Sequence, residues 1–151
     1  MRPNIHEYFM AIAEIAATRS VCLHRHVGAV LVKDNRLIAT GYNGPPSGQP
    51  HCDVIKTCGK EHSEDHSRYC RAEGLHAEAN AILSAAKLGI ATDGTTLYCV
   101  YSPCLTCCNM IKNAGIIRVI YRYSYESWPH ADNYLNNIVN IECVPLHMIT
   151  D

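Results

Sequence analysis

His76-Ala77-Glu78 and, further along, Pro103-Cys104-Leu105-Thr106-Cys107 decide how this chain reads. Together they spell H-x-E followed by P-C-x-x-C. One imidazole and two thiolates make a three-ligand zinc set whose fourth position is open to water. Such an ion lowers the pKa of its water toward neutrality and so furnishes a nucleophile. Hydrolysis also needs a proton carrier, and Glu78, two residues past His76 and not itself a ligand, is placed for that shuttle. The local pattern agrees. Ala77 to Leu88 is rich in Ala, Leu and Ile and ends at Gly89, which predicts a helix with His76 and Glu78 in its first turn. Cys104 and Cys107 lie three apart after a proline, on one face of a second helix start. Both helix N-termini then point at the metal, which favours thiolates and developing negative charge. Either half alone is weak, since H-x-E recurs by chance and P-C-x-x-C also marks redox pairs and half zinc fingers. Their conjunction, each at a predicted helix start and with a strand before the second, is far more restrictive.

Around this pair the remaining elements fall into order. Ile5, Tyr8, Phe9, Ile12, Ala13, Ile15 and Ala16 recur at helical spacing and predict an amphipathic first helix ending near Arg19-Ser20. Val27 to Val32 is a buried-strand run, Lys33-Asp34-Asn35-Arg36 a turn, and Leu37 to Tyr42 the second strand of a hairpin. A loop-rich insert of Gly, Pro, His and Cys follows, from about 43 to 74. After the His76 helix come the turn Asp93-Gly94 and a strand from Thr95 to Tyr101. The Cys104 helix closes at Ala114-Gly115, a glycine C-cap, and Ile116 to Tyr121 forms the next strand. A loop from Arg122 to Pro129, a helix around Ala131 to Asn137 and a strand from Ile141 to Val144 complete the chain. Strands alternating with helices imply parallel pairing in the second half. The expectation is a single α/β domain over residues 1–151, with three layers (α/β/α): a five-stranded mixed sheet with helices on both faces.

The 151 residues suit one domain with a real core. Hydrophobic residues make up 48% and charged residues 18%, without a disordered signature. A net charge of −1 argues against gripping long nucleic acid through a basic surface, while a single phosphate needs only a few local donors. No stretch approaches ~20 apolar residues, so no membrane span is expected. The first residues lack a signal peptide's apolar segment, and Glu14 interrupts the next apolar run, which gives the expectation of an intracellular, cytoplasmic protein. In that setting nine cysteines and nine histidines point to metal rather than disulfides.

Four stretches carry a family resemblance: Val27-Gly28-Ala29-Val30, Gly41-Tyr42-Asn43-Gly44-Pro45-Pro46-Ser47-Gly48, His76-Ala77-Glu78-Ala79-Asn80-Ala81-Ile82, and Ser102-Pro103-Cys104-Leu105-Thr106-Cys107. The chain resembles the cytidine and deoxycytidylate deaminases, and among them most the deoxycytidylate (dCMP) branch. The H-x-E and P-C-x-x-C pair is shared with cytosine, guanine and transfer-RNA adenosine deaminases. The G-Y-N-G-x-P-x-G segment is the more selective one. The resemblance implies a cytidine deaminase-like fold and zinc-dependent hydrolysis of dCMP to dUMP and ammonia. It makes His76, Cys104 and Cys107 the zinc ligands and Glu78 the proton shuttle. It lays Asn43 along the nucleotide, turns the backbone at Ala77 to the base and brings Arg25 and Tyr125 to the phosphate. In members of this branch that respond to nucleoside triphosphates, the glycine loop builds a regulatory site with magnesium at a subunit interface. There dCTP activates and dTTP inhibits, and the subunits form a homo-oligomer, a hexamer by family resemblance. The residues so implied are Tyr42, Gly44, Pro46, Gly48 and Lys87. Read physically, the loop glycines allow close backbone approach and their amides suit phosphate oxygens, although a plain turn would look the same. Lys87 by itself is a solvated lysine favoured by a helix C-terminus.

A second constellation lies in the insert. His62 and His66 are four apart, so both rings share one face of a helical turn. With Cys22 and one of His51 or Cys52 they would complete a closed tetrahedral structural zinc site. Spacing from the glycine loop favours His51, with Cys52 as the alternative, and some phage-type dCMP deaminases are similar in carrying a second zinc. An acidic solvated turn with incidental histidines is the plainer reading. Cys58, Cys70, Cys108 and Cys143 read as spare or core thiols, with Cys108 pointing away from the metal because helix neighbours do not share a face. Two other functions compete. A different zinc deaminase would act on cytosine, cytidine or a transfer-RNA adenosine, the last wanting a more basic surface. A zinc-dependent binding module without turnover would need no Glu78 and would prefer a fourth protein ligand.

Overall fold

Asn4 starts the first helix. Its side chain accepts from the His6 and Glu7 amides at 2.9 Å while the Glu7 carboxylate accepts from the Asn4 amide at 2.7 Å, a reciprocal capping box. The computed structural model describes residues 2–55, 74–126, 128–136 and 140–143. In chain order these form α1 (Ile5–Ala17), β1 (Gly28–Lys33), β2 (Arg36–Tyr42), α2 (Cys52–Ile55), α3 (Ala77–Lys87), β3 (Thr96–Tyr101), α4 (Leu105–Asn113), β4 (Arg118–Tyr123), α5 (Ala131–Leu135) and β5 (Asn140–Cys143).

The five strands make one sheet in the order β2-β1-β3-β4-β5. β1 pairs antiparallel with β2 and with β3, and β3-β4 and β4-β5 are parallel. The expected mixed sheet is therefore present. The hairpin turns on Asp34 and Asn35, whose φ angles of 49° and 58° are what a two-residue turn with strand-matched twist requires. Alternate residues face opposite layers. Val30, Val32, Tyr98, Val100 and Ile120 meet Phe9, Met10, Ala13 and Ala17 of α1. Ala29, Leu31, Leu97, Cys99 and Val119 meet the other layer, built from Ala77, Ala81 and Ala85 of α3, Cys108 and Ile111 of α4, and Ala131 and Leu135 of α5.

Boundaries differ from the sequence reading where a helix end takes a backbone group first. β4 begins at Arg118 rather than Ile116, because the Ile116 amide still bonds the Ile111 carbonyl and Gly115 turns with φ 71°. Ile117 then bonds Thr95, and only afterwards does the parallel ladder run, as far as Tyr101 opposite Tyr123. Arg122 and Tyr123 thus belong to the strand and not to the loop expected there. The α1 helix proper stops at Ala17, and Thr18, Arg19 and Ser20 finish it with tighter three-residue bonds. Among the described residues, no helix is long and apolar enough to cross a membrane.

Two glycines bring helices down onto the sheet. A Cβ on Gly28 would overlap the Ala13 carbonyl of α1, and one on Gly41 would overlap the Ala77 carbonyl and the Ala81 amide of α3. Since the atoms met at Gly41 are backbone, relief requires moving α3 itself. Gly41→Ala is expected to cost about 1–3 kcal/mol or more, as overpacking of a filled interior does. Urea denaturation of purified protein checks this, and a variant as stable as the parent would contradict the close contact.

Candidate metal centre

α3 and α4 both begin where the chain leaves extended backbone. His76 is the N-cap of α3 and Cys104 the N-cap of α4, and neither uses its side chain to cap its own helix. Those side chains are turned toward each other instead. His76 Nδ1 lies 3.5 Å from Cys104 Sγ and 3.5 Å from Cys107 Sγ. All three atoms fall within 4.8 Å of one another, and they are the only such cluster among the described residues. The spacing fits an ion: with Zn–N about 2.0 Å and Zn–S about 2.3 Å, tetrahedral geometry puts nitrogen and sulfur about 3.5 Å apart. His76 and Cys104 are half-buried and Cys107 is buried, so the cluster is open on one side. Three ligands with an open flank make a catalytic rather than a closed structural set.

The protonation pattern separates these sulfurs from their neighbours. Cys104 is lowered to about 4, first by the hydrogen bond from Cys107 and then by His76, against its own burial. Cys107 is raised because it holds the proton that the pair shares, and burial adds to this. A cation between the sulfurs takes over that proton's place, since a coordinating thiol is deprotonated outright. Cys108, next in sequence, is pushed up to about 12, chiefly by burial, and its Sγ turns to the Pro103 carbonyl at 3.7 Å. Cys99 is likewise held up by burial and by the Glu78 charge.

Glu78 is buried, with 4% of its surface exposed. Burial raises its carboxyl above the ordinary range, while the His76 charge, its own amide and a hydrogen bond with Cys107 pull the other way. The carboxyl therefore lies within hydrogen-bond reach of a ligand sulfur without being a ligand, and burial favours its protonated form.

The other expected residues divide. Arg25 and Tyr125 do come together, the Arg25 guanidinium carbon lying 4.6 Å from the Tyr101 ring centroid and 5.7 Å from that of Tyr125. Tyr125 is tied down by its amide, which donates to Ser102 Oγ at 2.7 Å. Tyr101 and Ser102 were not singled out in the sequence as part of this cluster. Their signal was position alone, at the end of a strand and just before Pro103. Asn43 turns its carboxamide to the chain, accepting from the Val27 amide at 2.8 Å and donating to the Arg25 carbonyl at 2.8 Å. Gly44 pairs with Leu75, so the glycine loop sits beside His76, at the N-terminal end of α3. Lys87 is exposed at the other end, about 15 Å away at 1.5 Å per residue.

For the second constellation, Cys22 and Cys52 are both buried and pack against each other, while His51 is exposed. The structure thus places Cys52, the alternative, beside Cys22, and leaves His51, which spacing favours, exposed. The His24 and Arg25 amides both point at Cys22 Sγ, each at 3.5 Å. His62 and His66 lie outside the described residues.

The family profile "Cytidine and deoxycytidylate deaminase zinc-binding region" matches residues 3–123. The chain is 40% identical over 152 residues to ComE operon protein 2 of Bacillus subtilis, covering 99% of this chain and 77% of that one. It is 42% identical over 142 residues to the deoxycytidylate deaminase of Schizosaccharomyces pombe, covering 89% of this chain but only 42% of the yeast protein. In fold it is similar to the crystal structure of the cyanophage S-TIM5 dCMP deaminase in complex with dCMP and dUMP, with a TM-score of 0.79 and 34% identity over 95% of this chain and 99% of that one.

The geometry predicts opposite results at adjacent sulfurs. Cys107→Ser should lose the ion from the His76 cluster, lowering zinc content by about one equivalent against the parent protein, whereas Cys108→Ser should keep the parent content. Metal analysis of the purified variants reads the difference, and equal loss from both would contradict the assignment.

Proposed function

The chain belongs to the cytidine and deoxycytidylate deaminase zinc-binding family, and from that membership we propose that it hydrolyses dCMP to dUMP and ammonia. The observation that carries the reading is the open His76-Cys104-Cys107 cluster with buried Glu78 against it. His76, Cys104 and Cys107 would hold zinc, which supplies hydroxide from water near neutral pH. Glu78 is the group that moves protons. As a carboxylate it takes the proton released when water becomes the nucleophile and passes it to the ring nitrogen. It then takes the proton of the newly added hydroxyl and gives it to the amine, which leaves as ammonia as the carbonyl forms. A buried carboxyl with a raised pKa suits this work, because it is a better proton acceptor than an ordinary carboxylate and can still give the proton back. The backbone at Ala77 faces the base, and Arg25 with Tyr125 meets the phosphate. A guanidinium already stacked on tyrosine rings is favourable there, since its planar donors match phosphate oxygens.

The structural zinc is part of the proposal. Its supporting observations are the buried Cys22–Cys52 contact and the two amides aimed at Cys22 Sγ, an arrangement that suits a thiolate. His62 and His66 would complete the set. Regulation by dCTP and dTTP with magnesium is proposed at Tyr42, Gly44, Pro46, Gly48 and Lys87. Because the loop and Lys87 stand at opposite ends of α3, a shared effector would need Lys87 of one copy against the loop of another, which favours the homo-oligomer.

Two experiments follow. Ammonia release should be fastest with dCMP among dCMP, dCTP, cytidine and cytosine, and Glu78→Gln should keep zinc while losing on the order of 10² or more in rate. Preference for cytosine or cytidine, or near-normal turnover by the zinc-loaded variant, would overturn the reading. Separately, the rate should depend sigmoidally on dCMP, with dCTP removing the curvature and dTTP deepening it. A coupling of ~1–3 kcal/mol corresponds to roughly 5- to 150-fold in apparent affinity. Lys87→Glu should weaken both effectors, and a curve unmoved by either nucleotide would refute regulation while leaving the deaminase standing.

A further inference from the structure

We infer that Asn43 is a positioning residue for Arg25, holding the backbone that presents the guanidinium and thereby setting the preference for a nucleotide over a nucleoside. This deepens the proposed function and rests on its placing of the substrate phosphate at Arg25.

The segment that carries Arg25, between α1 and β1, has neither helix nor strand to hold it. Within itself it is folded on Cys22, whose Sγ faces the Arg25 amide and whose carbonyl meets the His26 ring at 2.9 Å, and its tie to the end of β2 is Asn43. Asn43 Oδ1 accepts from the Val27 amide at 2.8 Å, and Nδ2 donates to the Arg25 carbonyl at 2.8 Å. The Asn43 amide donates to the Val27 carbonyl at 3.1 Å, and the Asn43 carbonyl accepts from Ser20 Oγ at 2.8 Å. A carboxamide offers one acceptor and a two-hydrogen donor in a fixed plane, so it bridges a carbonyl and an amide two residues apart as a neighbouring strand would. Aspartate and leucine, of similar size, lack one or both of these functions.

The far end of Arg25 is fixed as well. Its guanidinium lies over Tyr101 and Tyr125, and Tyr125 is anchored to Ser102. A flexible, exposed arginine is thus held at its backbone by Asn43 and at its tip by aromatic faces. Such preorganisation reduces the ordering cost of gripping an anion. Asn43 is also tied to the metal side of the site, because the next residue, Gly44, pairs with Leu75, immediately before His76. Base and phosphate of one nucleotide are a fixed span apart. Asn43 joins the segment that meets one to the segment that meets the other.

Asn43→Asp tests this most directly. It keeps the oxygen facing Val27 but sets a second oxygen against the Arg25 carbonyl, so the strap loses its donor. In zinc-loaded protein, kcat/KM for dCMP should fall about ten-fold more than kcat/KM for deoxycytidine, with the excess in KM. In an Arg25→Ala background the same change should add less than about two-fold on dCMP, since residues acting through one another are not additive. Equal losses on the two substrates, or an undiminished loss in the Arg25→Ala background, would overturn the inference. Hydrogen exchange gives an arm independent of turnover: amides of residues 25–27 should exchange about ten-fold faster in Asn43→Asp, with zinc content kept. Unchanged exchange there would also overturn it. A parent protein that deaminates no dCMP while the exchange shift appears would instead refute the proposed substrate and leave Asn43 as the holder of the strap.

Discussion

The structure turns on the meeting of two helix beginnings. α3 and α4 start at His76 and Cys104, and each start leaves amide groups unpaired and a partial positive charge at its tip. Ordinarily the N-cap side chain would satisfy such amides. Here both N-cap side chains are turned outward to a common point, where His76 Nδ1 stands equally far from the two sulfurs. The helix ends are thus left electropositive where thiolates, and any negative charge on a reacting group, are wanted. That convergence demands that α3 lie hard against the hairpin, and Gly41 supplies the room by having no Cβ to meet Ala77 and Ala81. Asn80 adds a second tie, its Nδ2 donating to the Tyr42 carbonyl at 2.7 Å. The sheet therefore serves mainly to hold the N-terminus of α3 in place against that of α4.

Four cysteines crowd this region, and the fold assigns them different chemistry by small changes of position. Cys104 and Cys107, one turn of helix apart, share a face and a proton. Cys108 is rotated into the core, and Cys99 lies in the sheet beneath Glu78. Burial keeps the latter two protonated, outweighing the pull of Lys112 on Cys108, so they fill space as small apolar groups. Burial also raises Glu78, but its charged form is helped by His76, by its own amide and by Cys107. The same apolar layer that protonates a core thiol therefore leaves Glu78 able to exchange its proton.

What the sequence disclosed was set by how local the signal is. The two halves of the metal cluster, the helix starts and the hairpin turn at Asp34-Asn35 are each written in residues a few positions apart, and the structure brings the halves together at His76, Cys104 and Cys107. The layers were legible as well, because the continuous apolar runs of β1 and β3 need cover on both faces and the alanine face of α3 supplies it on one. Contacts between distant segments were not. Tyr101 and Ser102 look like the end of a strand until Arg25, far back in the chain, is seen lying on the first and Tyr125 hanging from the second. The buried contact of Cys22 with Cys52 was not legible either, since spacing along a loop does not say which of two adjacent side chains turns inward. The start of β4 slipped by two residues because an apolar pair, Ile116-Ile117, reads as strand although its first amide still belongs to α4.

The glycine loop and the metal cluster are separate in sequence but mechanically close. Gly44 exchanges backbone hydrogen bonds with Leu75 at 3.1 and 2.9 Å, and Leu75 precedes the ligand His76. On the other side, Tyr42 is held by Asn80 one turn into α3, and Asn43 is bound to the segment of Arg25. A ligand that moved the loop would therefore act on the histidine ligand through one chain of bonds and on the arginine through another. Any displacement of Leu75 is passed directly to His76, its neighbour in the chain. A tetrahedral site tolerates little of that, as ligand distances are defined within about 0.2 Å.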